Sequence, residues 1–249
     1  MNRNATNFYA DRVFRAATDT KGCFVAGTLV HTDKGLVPIQ DLKVGDKVLS
    51  KSEGDPNGKL GYQKITETHK FENKSIYLLR LVEFSENDAT TISEVFSTPN
   101  HPFWKVDVGW TRADLLRHGD EVILANGNKA IIFEWSPVLR TSNTNVGWVA
   151  ADLQNRGDNT DTGYLVDFSH NKITTPFNLD NWEDYEYVSY WDYAPEDTTW
   201  MDSYEERRLN ATVYNITVEN THTYFVGEDS IWVHSANCHG EFPNRFFNT

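Results

Sequence analysis

The chain has 249 residues, 39% of them hydrophobic and 13% aromatic, so it is long enough and apolar enough to bury a sizeable core. Its formal net charge of −13 argues against nucleic-acid or anionic-membrane binding, because both need a basic face. No stretch approaches the ~20 consecutive apolar residues that span a bilayer, so we expect no membrane partner.

The N-terminal segment carries apolar side chains at close to helical spacing, which predicts a short helix over residues 4–18. It does not resemble a signal peptide, because Asp11, Arg12 and Arg15 interrupt its apolar residues. We therefore expect any export signal of a secreted bacterial parent protein to lie outside this sequence, and the localisation stays open.

From Phe24 onward the sequence consists of short runs rich in β-branched and aromatic residues, separated by Gly, Asp and Asn. These runs are FVAGTLVHT, VPIQDLKVGDKVLS, IYLLRLVEF, SEVFSTPNHPFW, DEVILA, TVYNITV, HTYFVG and IWVH. Many short strands at regular intervals, with no long amphipathic helix between them, predict an all-β domain.

Two weak internal repeats run through this β region. LKVGDKVL at 42–49 is echoed by LRHGDEVI at 116–123, and IYLLRL at 76–81 resembles VYNITV at 213–218. Each Gly-Asp pair is a plausible turn before an apolar strand, since Gly supplies an unusual φ and Asp bonds the local backbone. Because both matches occur in the same order, we predict two related halves.

The segment between about Glu134 and Arg208 differs from the rest of the chain. It begins with loop-like sequence and becomes acidic and aromatic, as in NLDNWEDYEYVSYWDYAPEDTTWMDSYEE. We interpret residues 135–207 as an insertion that covers one face of the domain. The alternative is a recognition surface for a basic protein partner.

Four short motifs carry residues with possible chemistry. Gly22-Cys23 opens the β region, and Thr98-Pro-Asn-His101 follows a strand. A later stretch contains Asn215 in VYNITV and His222 in HTYF, and the last strand leads into His234-Ser-Ala-Asn237-Cys238. Each motif is weak alone, but their order and the cysteine at the head of the β domain make the set specific.

In this order the motifs resemble those of the Hint (hedgehog/intein) superfamily, above all its bacterial intein-like and polymorphic-toxin members. CFVAGTLVHTDKGLVPIQDLKVGDKVLS is similar to the first block, TPNHPFW to the TxxH block, and VYNITVENTHTYFVGEDSIWVH to the two terminal blocks. The similar segments span about 23–134 and 208–238. The resemblance implies a horseshoe-like all-β fold over residues 23–237, with flanking segments at 1–22 and 238–249.

The resemblance also implies autocatalytic self-processing, a single-turnover reaction on the chain's own flanking segments. The Cys23 thiol would attack the Gly22 carbonyl in an N–S acyl shift that forms a thioester, and proximity lowers the barrier of such a step. His101 would protonate the departing amine, and Thr98 would orient the scissile amide. A thiolate is the attacking species, so a neighbouring base or local field would matter.

At the other end, the resemblance implies that Asn237 cyclises with help from His222 and that Cys238 accepts the acyl group, which completes protein splicing. Two departures from the family pattern favour N-terminal cleavage over splicing. Ala236 precedes Asn237 where a His is usual, so either Asn237 cyclises without that neighbour or Ser235, after His234, has replaced the usual Asn. Asn215 stands where many inteins carry Asp, and a neutral amide cannot act as a general base.

We expect no cofactor and no resident metal. The sequence has no P-loop, dinucleotide fingerprint or HExxH motif. Zinc held by Cys23, His101, His222 and Cys238 would act as an inhibitor, because their spacing is not that of a structural site. The alternative function is a catalytically inactive β module of a larger secreted or toxin protein, with a Cys23–Cys238 disulfide.

Overall fold

The computed structural model describes residues 22–84, 90–150, 162–175, 187–203 and 205–235. The helix predicted over residues 4–18 lies outside the described residues, as do Asn237 and Cys238. In the described ranges, helical structure is limited to short 3-10 turns, and none is long and apolar enough to cross a membrane.

Eighteen strands occur in the described residues, and they confirm the predicted all-β class. The first seven are β1 (Phe24–Val25), β2 (Leu29–Thr32), β3 (Gly35–Pro38), β4 (Lys47–Ser50), β5 (Gly61–Ser75), β6 (Tyr77–Phe84) and β7 (Thr90–Ser97). The next six are β8 (Pro102–Lys105), β9 (Gly109–Arg112), β10 (Glu121–Ile123), β11 (Lys129–Pro137), β12 (Leu139–Arg140) and β13 (Val146–Ala150). The last five are β14 (Thr162–Asp167), β15 (Val188–Ser189), β16 (Asn210–Val218), β17 (Thr223–Val226) and β18 (Ile231–His234).

Most of these strands form one antiparallel main sheet that closes on itself. The hydrogen-bonded order is β10-β11-β6-β7-β1-β16-β5-β4-β2-β17-β18-β8-β9, and a further pairing joins β10 to β8. Closure leaves an interior lined by buried apolar side chains, among them Phe24, Phe103, Ile216 and Val233. Burying these alternate side chains is the main stabilising contribution to the domain.

The closed sheet is built from two related halves, as the repeats predicted. Gly45 and Gly119 occupy equivalent turns with φ of +94° and +86°, a conformation that favours glycine. The N–H of Gly45 donates to the Ile65 carbonyl and that of Gly119 to the Ile132 carbonyl, each over 2.9 Å. The second repeat fits the same relation, since β6 pairs with β11 as β16 pairs with β5.

The two aspartates of the repeat make the same local contact. The Asp46 carboxylate accepts from the Lys43 N–H over 2.9 Å, and the Asp120 carboxylate accepts from the Arg117 N–H over 2.8 Å. The Lys43 contact is the largest cause of a lowered pKa of Asp46. Each aspartate therefore closes a tight turn just before a strand, which is why the Gly-Asp pair recurs in both halves.

A second, smaller sheet has the order β12-β13-β14-β15 and lies within the range predicted for the insertion. It packs on the outside of the main sheet, where Val149 and Val166 share an apolar cluster with Cys23 and Phe96. Charged side chains accompany this packing in a separate buried group. Arg80 of the main sheet contacts Glu94, Glu134 and the Tyr164 hydroxyl of the smaller sheet.

Candidate functional site

The Gly22-Cys23 peptide lies where three strands of the main sheet meet. Strand β1 is paired on one side with β7, through Phe24 and Ser97, and on the other with β16, through Phe24 and Tyr214. Because of this pairing, the residues just before β1 lie between the end of β7 and the middle of β16. The sequence motifs containing Thr98 and Asn215 are thereby brought to the same peptide bond.

The main-chain polar atoms around the Gly22–Cys23 peptide bond all form hydrogen bonds with Thr98 or Asn215. The Cys23 N–H donates to the Thr98 hydroxyl oxygen over 2.9 Å, and the Thr98 N–H donates to the Cys23 carbonyl over 2.9 Å. The Asn215 side-chain amide donates to the carbonyl oxygen of Gly22. Both the nitrogen and the oxygen of the Gly22–Cys23 peptide bond are therefore fixed by side chains from distant parts of the sequence.

The orientation of the Asn215 amide follows from the contacts of its oxygen. Asn215 Oδ1 accepts from the Tyr224 hydroxyl over 2.8 Å and from the Ile216 N–H over 2.7 Å. With the oxygen engaged by two donors, the NH2 group must be the end that points at Gly22. Burial is the largest cause of a pKa of Tyr224 well above its usual value, so the phenol remains a donor.

His101 packs directly against Gly22. A Cβ at position 22 would lie 2.5 Å from the His101 Cα and 2.9 Å from its Nδ1, so no side chain larger than hydrogen fits there. The imidazole is fully buried and its centroid is 4.0 Å from that of Phe24. Burial lowers the pKa of His101 to about 3, so the ring is neutral at physiological pH.

Both ring nitrogens of His101 are buried and neither makes a hydrogen bond of normal geometry among the described residues, although contact with the Gly22 main chain partly offsets the lowering of the His101 pKa. A buried polar group in this state costs free energy, commonly about 1–3 kcal/mol. Such a cost at a residue that packs against Gly22 is typical of a group with a chemical role. Cys23, which follows Gly22, is also fully buried, within the apolar cluster beneath the smaller sheet.

The remaining motif residues form a second cluster at the end of β18. Val233 pairs with Phe103, so this strand ends beside the start of β8, next to His101. His234 is buried, and its Nε2 lies 2.8 Å from a carboxylate oxygen of Glu53. The pKa of Glu53 is lowered chiefly by this contact with His234, and in smaller part by the charge of nearby His222.

The structure thus gathers Gly22, Cys23, Thr98, His101 and Asn215 around one peptide bond. It places His222 and His234 in the neighbouring cluster, while the predicted Asn237 and Cys238 lie outside the described residues. Their predicted roles, and the alternative disulfide between Cys23 and Cys238, stay predictions.

Sequence reasoning missed three residues that contact the predicted ones. Asn100 accepts a hydrogen bond from the Thr98 hydroxyl over 2.7 Å, and Tyr224 orients Asn215. Both stand inside motifs already singled out, so their polar side chains were available signals. Glu53 lies in a loop with no motif, and only the folded chain brings it to His234.

A family model described as the pretoxin HINT domain matches residues 29–159, which is more than half of the chain. No match was found among curated proteins.

The folded chain is similar to several solved structures. A bacterial intein-like domain from Clostridium thermocellum is 22% identical, with 86% of this chain and 98% of that one covered and a TM-score of 0.49. The Ssp DnaB mini-intein variant M86 is 14% identical, with coverages of 87% and 94% and a TM-score of 0.47. A DnaB intein from Synechocystis sp. PCC 6803 is 15% identical, with coverages of 87% and 100% and a TM-score of 0.45.

The closed all-β sheet with related halves and the family match together define a Hint domain, a class of self-processing domains. Within that class, the chain belongs to the pretoxin Hint domain family.

Proposed function

We propose that this Hint domain cleaves its own chain at Gly22–Cys23 through an N–S acyl shift. The segment 1–22 is then the acyl group, and the flanking chain is the only substrate required. The observation that carries the proposal is the double engagement of one peptide bond, its oxygen by Asn215 and its nitrogen by Thr98. Side chains from two distant motifs, rather than the main chain of neighbouring strands, bind both polar atoms of the buried peptide bond that precedes Cys23.

Asn215 is suited to stabilise the charge that develops on the Gly22 oxygen. When the Cys23 sulfur attacks the carbonyl carbon, that oxygen becomes an oxyanion in a buried site of low dielectric. A donor already aimed at it stabilises the transition state, an effect of about 100- to 1000-fold in rate. This role needs a hydrogen-bond donor rather than a base, so the amide in place of the usual carboxylate supports the reaction.

His101 is suited to move the thiol proton. The neutral ring packs against Gly22, and in this proposal it accepts the proton of the Cys23 thiol only in the transition state, as the sulfur attacks. The carbon–sulfur bond forms, the Gly22–Cys23 carbon–nitrogen bond breaks, and the same proton passes from the imidazolium to the departing nitrogen. Thr98 holds that nitrogen in place through the hydrogen bond it accepts.

The fate of the thioester decides between cleavage and splicing. Water or an added thiol releases the 1–22 segment, whereas splicing requires capture by Cys238 and cyclisation of Asn237. We propose N-terminal cleavage as the main outcome, since the sequence around Asn237 departs from the splicing pattern. The apolar cluster over Cys23 supports slow release in water, because it limits the access of solvent to the thioester.

Mass spectrometry of the purified full chain, with and without dithiothreitol, tests this function. The expected result is a thiol-dependent fragment ending at Gly22, lost in Cys23→Ala and retained in the matched control Cys238→Ala. The inactive-module alternative predicts an intact chain that does not respond to thiols, with Cys23 bonded to Cys238. That outcome would overturn the proposal.

A further inference from the structure

The smaller sheet covers the outer side of the main sheet at Cys23. Successive residues of a strand point to opposite faces of the sheet, and Phe24 belongs to the apolar cluster of the closed interior while Cys23 belongs to the cluster on the outer face. The Cys23 side chain is fully buried there, and the smaller sheet contributes Val149 and Val166 to the same cluster. The residue that would carry the acyl group is therefore closed off from solvent by strands of the insertion.

Another part of the same outer face carries three charged side chains in a row. Arg80 on β6 is in register with Glu94 on β7 and with Glu134 on β11. Its guanidinium contacts both carboxylates, and the three side chains are only 5% to 12% exposed. Because all three residues belong to the main sheet, their charges can stay paired whether or not the smaller sheet lies over them.

One side chain of the smaller sheet contacts this charged row. The Tyr164 hydroxyl accepts a hydrogen bond from Arg80 and donates one to Glu94 over 3.4 Å. The Tyr164 ring centroid lies 5.5 Å from the guanidinium carbon. Tyr164 on β14 is in register with Val149 on β13, so the strands that contact the charged row are the strands that cover Cys23.

The interface between the two sheets has a composition that allows them to separate without unfolding. In the described residues, the hydrogen-bonded order of the main sheet contains no strand of the smaller one, so the main sheet closes by itself. Buried ion pairs add little net stability, because the cost of removing charges from water offsets their attraction. Units of one chain that meet through a partly polar interface commonly move relative to one another.

We propose that the smaller sheet is an autoinhibitory cover over Cys23, latched by the contact of Tyr164 with Arg80, and that opening of this cover sets the rate at which the thioester is released. The proposal rests on the proposed function and adds the regulation of its second step. It also assigns a role to the insertion, whose strands otherwise take no part in the reaction.

The two steps differ in what they need from outside. Formation of the thioester requires no external reactant, so it can take place beneath the closed cover. Release requires a nucleophile such as the thiolate of dithiothreitol to reach the thioester carbon. A new carbon–sulfur bond then forms, the bond to the Cys23 sulfur breaks, and the Cys23 thiolate takes up a proton equivalent to the one that dithiothreitol lost. Release therefore waits for the cover to open.

The first experiment measures opening through the Cys23 thiol itself. The sequence has two cysteines, so Cys23 is the sole thiol in full-chain Cys238→Ala protein. Its rate of alkylation by iodoacetamide is measured without added thiol, in urea concentrations below the unfolding transition. Opening of the cover alone should give an alkylation rate that depends on urea more weakly than global unfolding does, because less surface becomes exposed. Alkylation that requires global unfolding would overturn the proposal.

The second experiment removes the latch. Tyr164→Phe deletes the hydroxyl and leaves Arg80 paired with both glutamates. It is expected to raise both the alkylation rate and the rate of dithiothreitol-induced cleavage at Gly22–Cys23 by about tenfold, because a hydrogen bond to a charged group is lost from the closed state only. Tyr190→Phe is the matched control, since Tyr190 packs in the cluster on the opposite face of the smaller sheet, and both rates should stay near wild type.

A purely structural role of Tyr164 gives a different result. General destabilisation would slow cleavage, because the site depends on the folded main sheet, so an increase in rate reports opening of the cover. A Tyr164→Phe protein in which alkylation and cleavage rise no more than in Tyr190→Phe would overturn the proposal.

The cover and the proposed function can fail separately. If no protein releases a thiol-dependent fragment, self-cleavage at Gly22 is wrong, and the alkylation rates still show whether the smaller sheet opens over Cys23. If wild type releases the fragment but its Cys23 is alkylated only on global unfolding, the self-cleavage stands and the cover is wrong.

Discussion

The two halves of the closed sheet have the same backbone arrangement, but the side chains at equivalent positions differ in their chemistry. In one half the Ile39 N–H donates to the Thr28 carbonyl, and in the other the Ala113 N–H donates to the His101 carbonyl. Thr28 and His101 therefore occupy equivalent positions before β2 and β8. Only His101 lies against the Gly22–Cys23 peptide, so the symmetry of the fold extends to the strands and turns but not to the candidate site.

The difference arises from what packs beside each position. A Cβ on Gly27, next to Thr28, would meet the main chain at Asn171 and Ile173, from the segment that leads out of β14. Beside His101 the neighbour is Gly22, two residues before β1. A repeated fold can thus carry one candidate site because the residue that leads into β1 packs against only one of its halves.

The largest expected effect is a difference in cleavage rate between variants of the equivalent residues His101 and Thr28. His101→Ala should slow dithiothreitol-induced cleavage by about 100-fold or more, the usual contribution of a general acid–base group. Thr28→Val should leave the rate near wild type, since it removes only a buried hydroxyl that has no hydrogen-bond partner in the described part of the chain. Cleavage rates from mass spectrometry measure both, and equal losses in the two variants would mean that His101 acts only through packing.

The next effect concerns the donor to the Gly22 oxygen. Asn215→Ala should slow the same cleavage by about 100-fold, because one donor to the developing oxyanion is lost. Thr217→Val is the matched control on β16, since the Thr217 hydroxyl contacts His69 rather than the site. Asn215→Ala protein that cleaves at the control rate would remove the amide from the mechanism.

Because His101 is buried and titratable, it should make the free energy of unfolding depend on pH. The equivalent residue Thr28 does not titrate and should have no such effect. The pKa of His101 is about 3 in the folded chain against 6.5 as its ordinary value, so between these values only the unfolded state binds the proton. Stability is then complete above about pH 6.5 and declines as the pH falls, by about 2 kcal/mol at pH 5. Urea unfolding at pH 7 and pH 5 measures the decline.

The comparison protein for this measurement is His101→Gln, with both chains carrying Cys23→Ala so that they stay intact. Glutamine does not titrate, so its loss of stability between pH 7 and pH 5 should be smaller than that of the histidine protein. An identical loss in the two would assign the acid sensitivity to other groups.

The smallest effects should be nearly equal in the two halves. Asp46→Ala and Asp120→Ala each remove a side-chain acceptor from a turn N–H, which should lower the free energy of unfolding by about 1 kcal/mol. The loss at Asp120 should be slightly larger, because its ion pair with Lys105 is less exposed than that of Asp46 with Lys34. Urea unfolding measures both, and a severalfold difference would break the equivalence of the halves.

Much of the fold was predictable from local patterns. Short β-rich runs predicted the all-β class, and the paired LKVGD and LRHGD segments predicted related halves, because turn chemistry depends on neighbouring residues alone. The motifs contain Thr98, His101 and Asn215, which the structure gathers around the Gly22–Cys23 peptide. The motifs do not predict how the side chains are oriented. Which end of the Asn215 amide points at Gly22 depends on its hydrogen bond with Tyr224 in the core.

The cluster at the end of β18 shows most clearly what local sequence predicts and what tertiary structure adds. The sequence alone determined that a His–Ser–Ala–Asn–Cys ending departs from the family pattern, and it left Ser235 and Asn237 as alternatives. Tertiary structure placed the His234 ring on the Ser235 carbonyl and brought Glu53 to its other side. Hydrogen bonds between residues 181 positions apart depend on the closure of the sheet, so no local pattern could have predicted them.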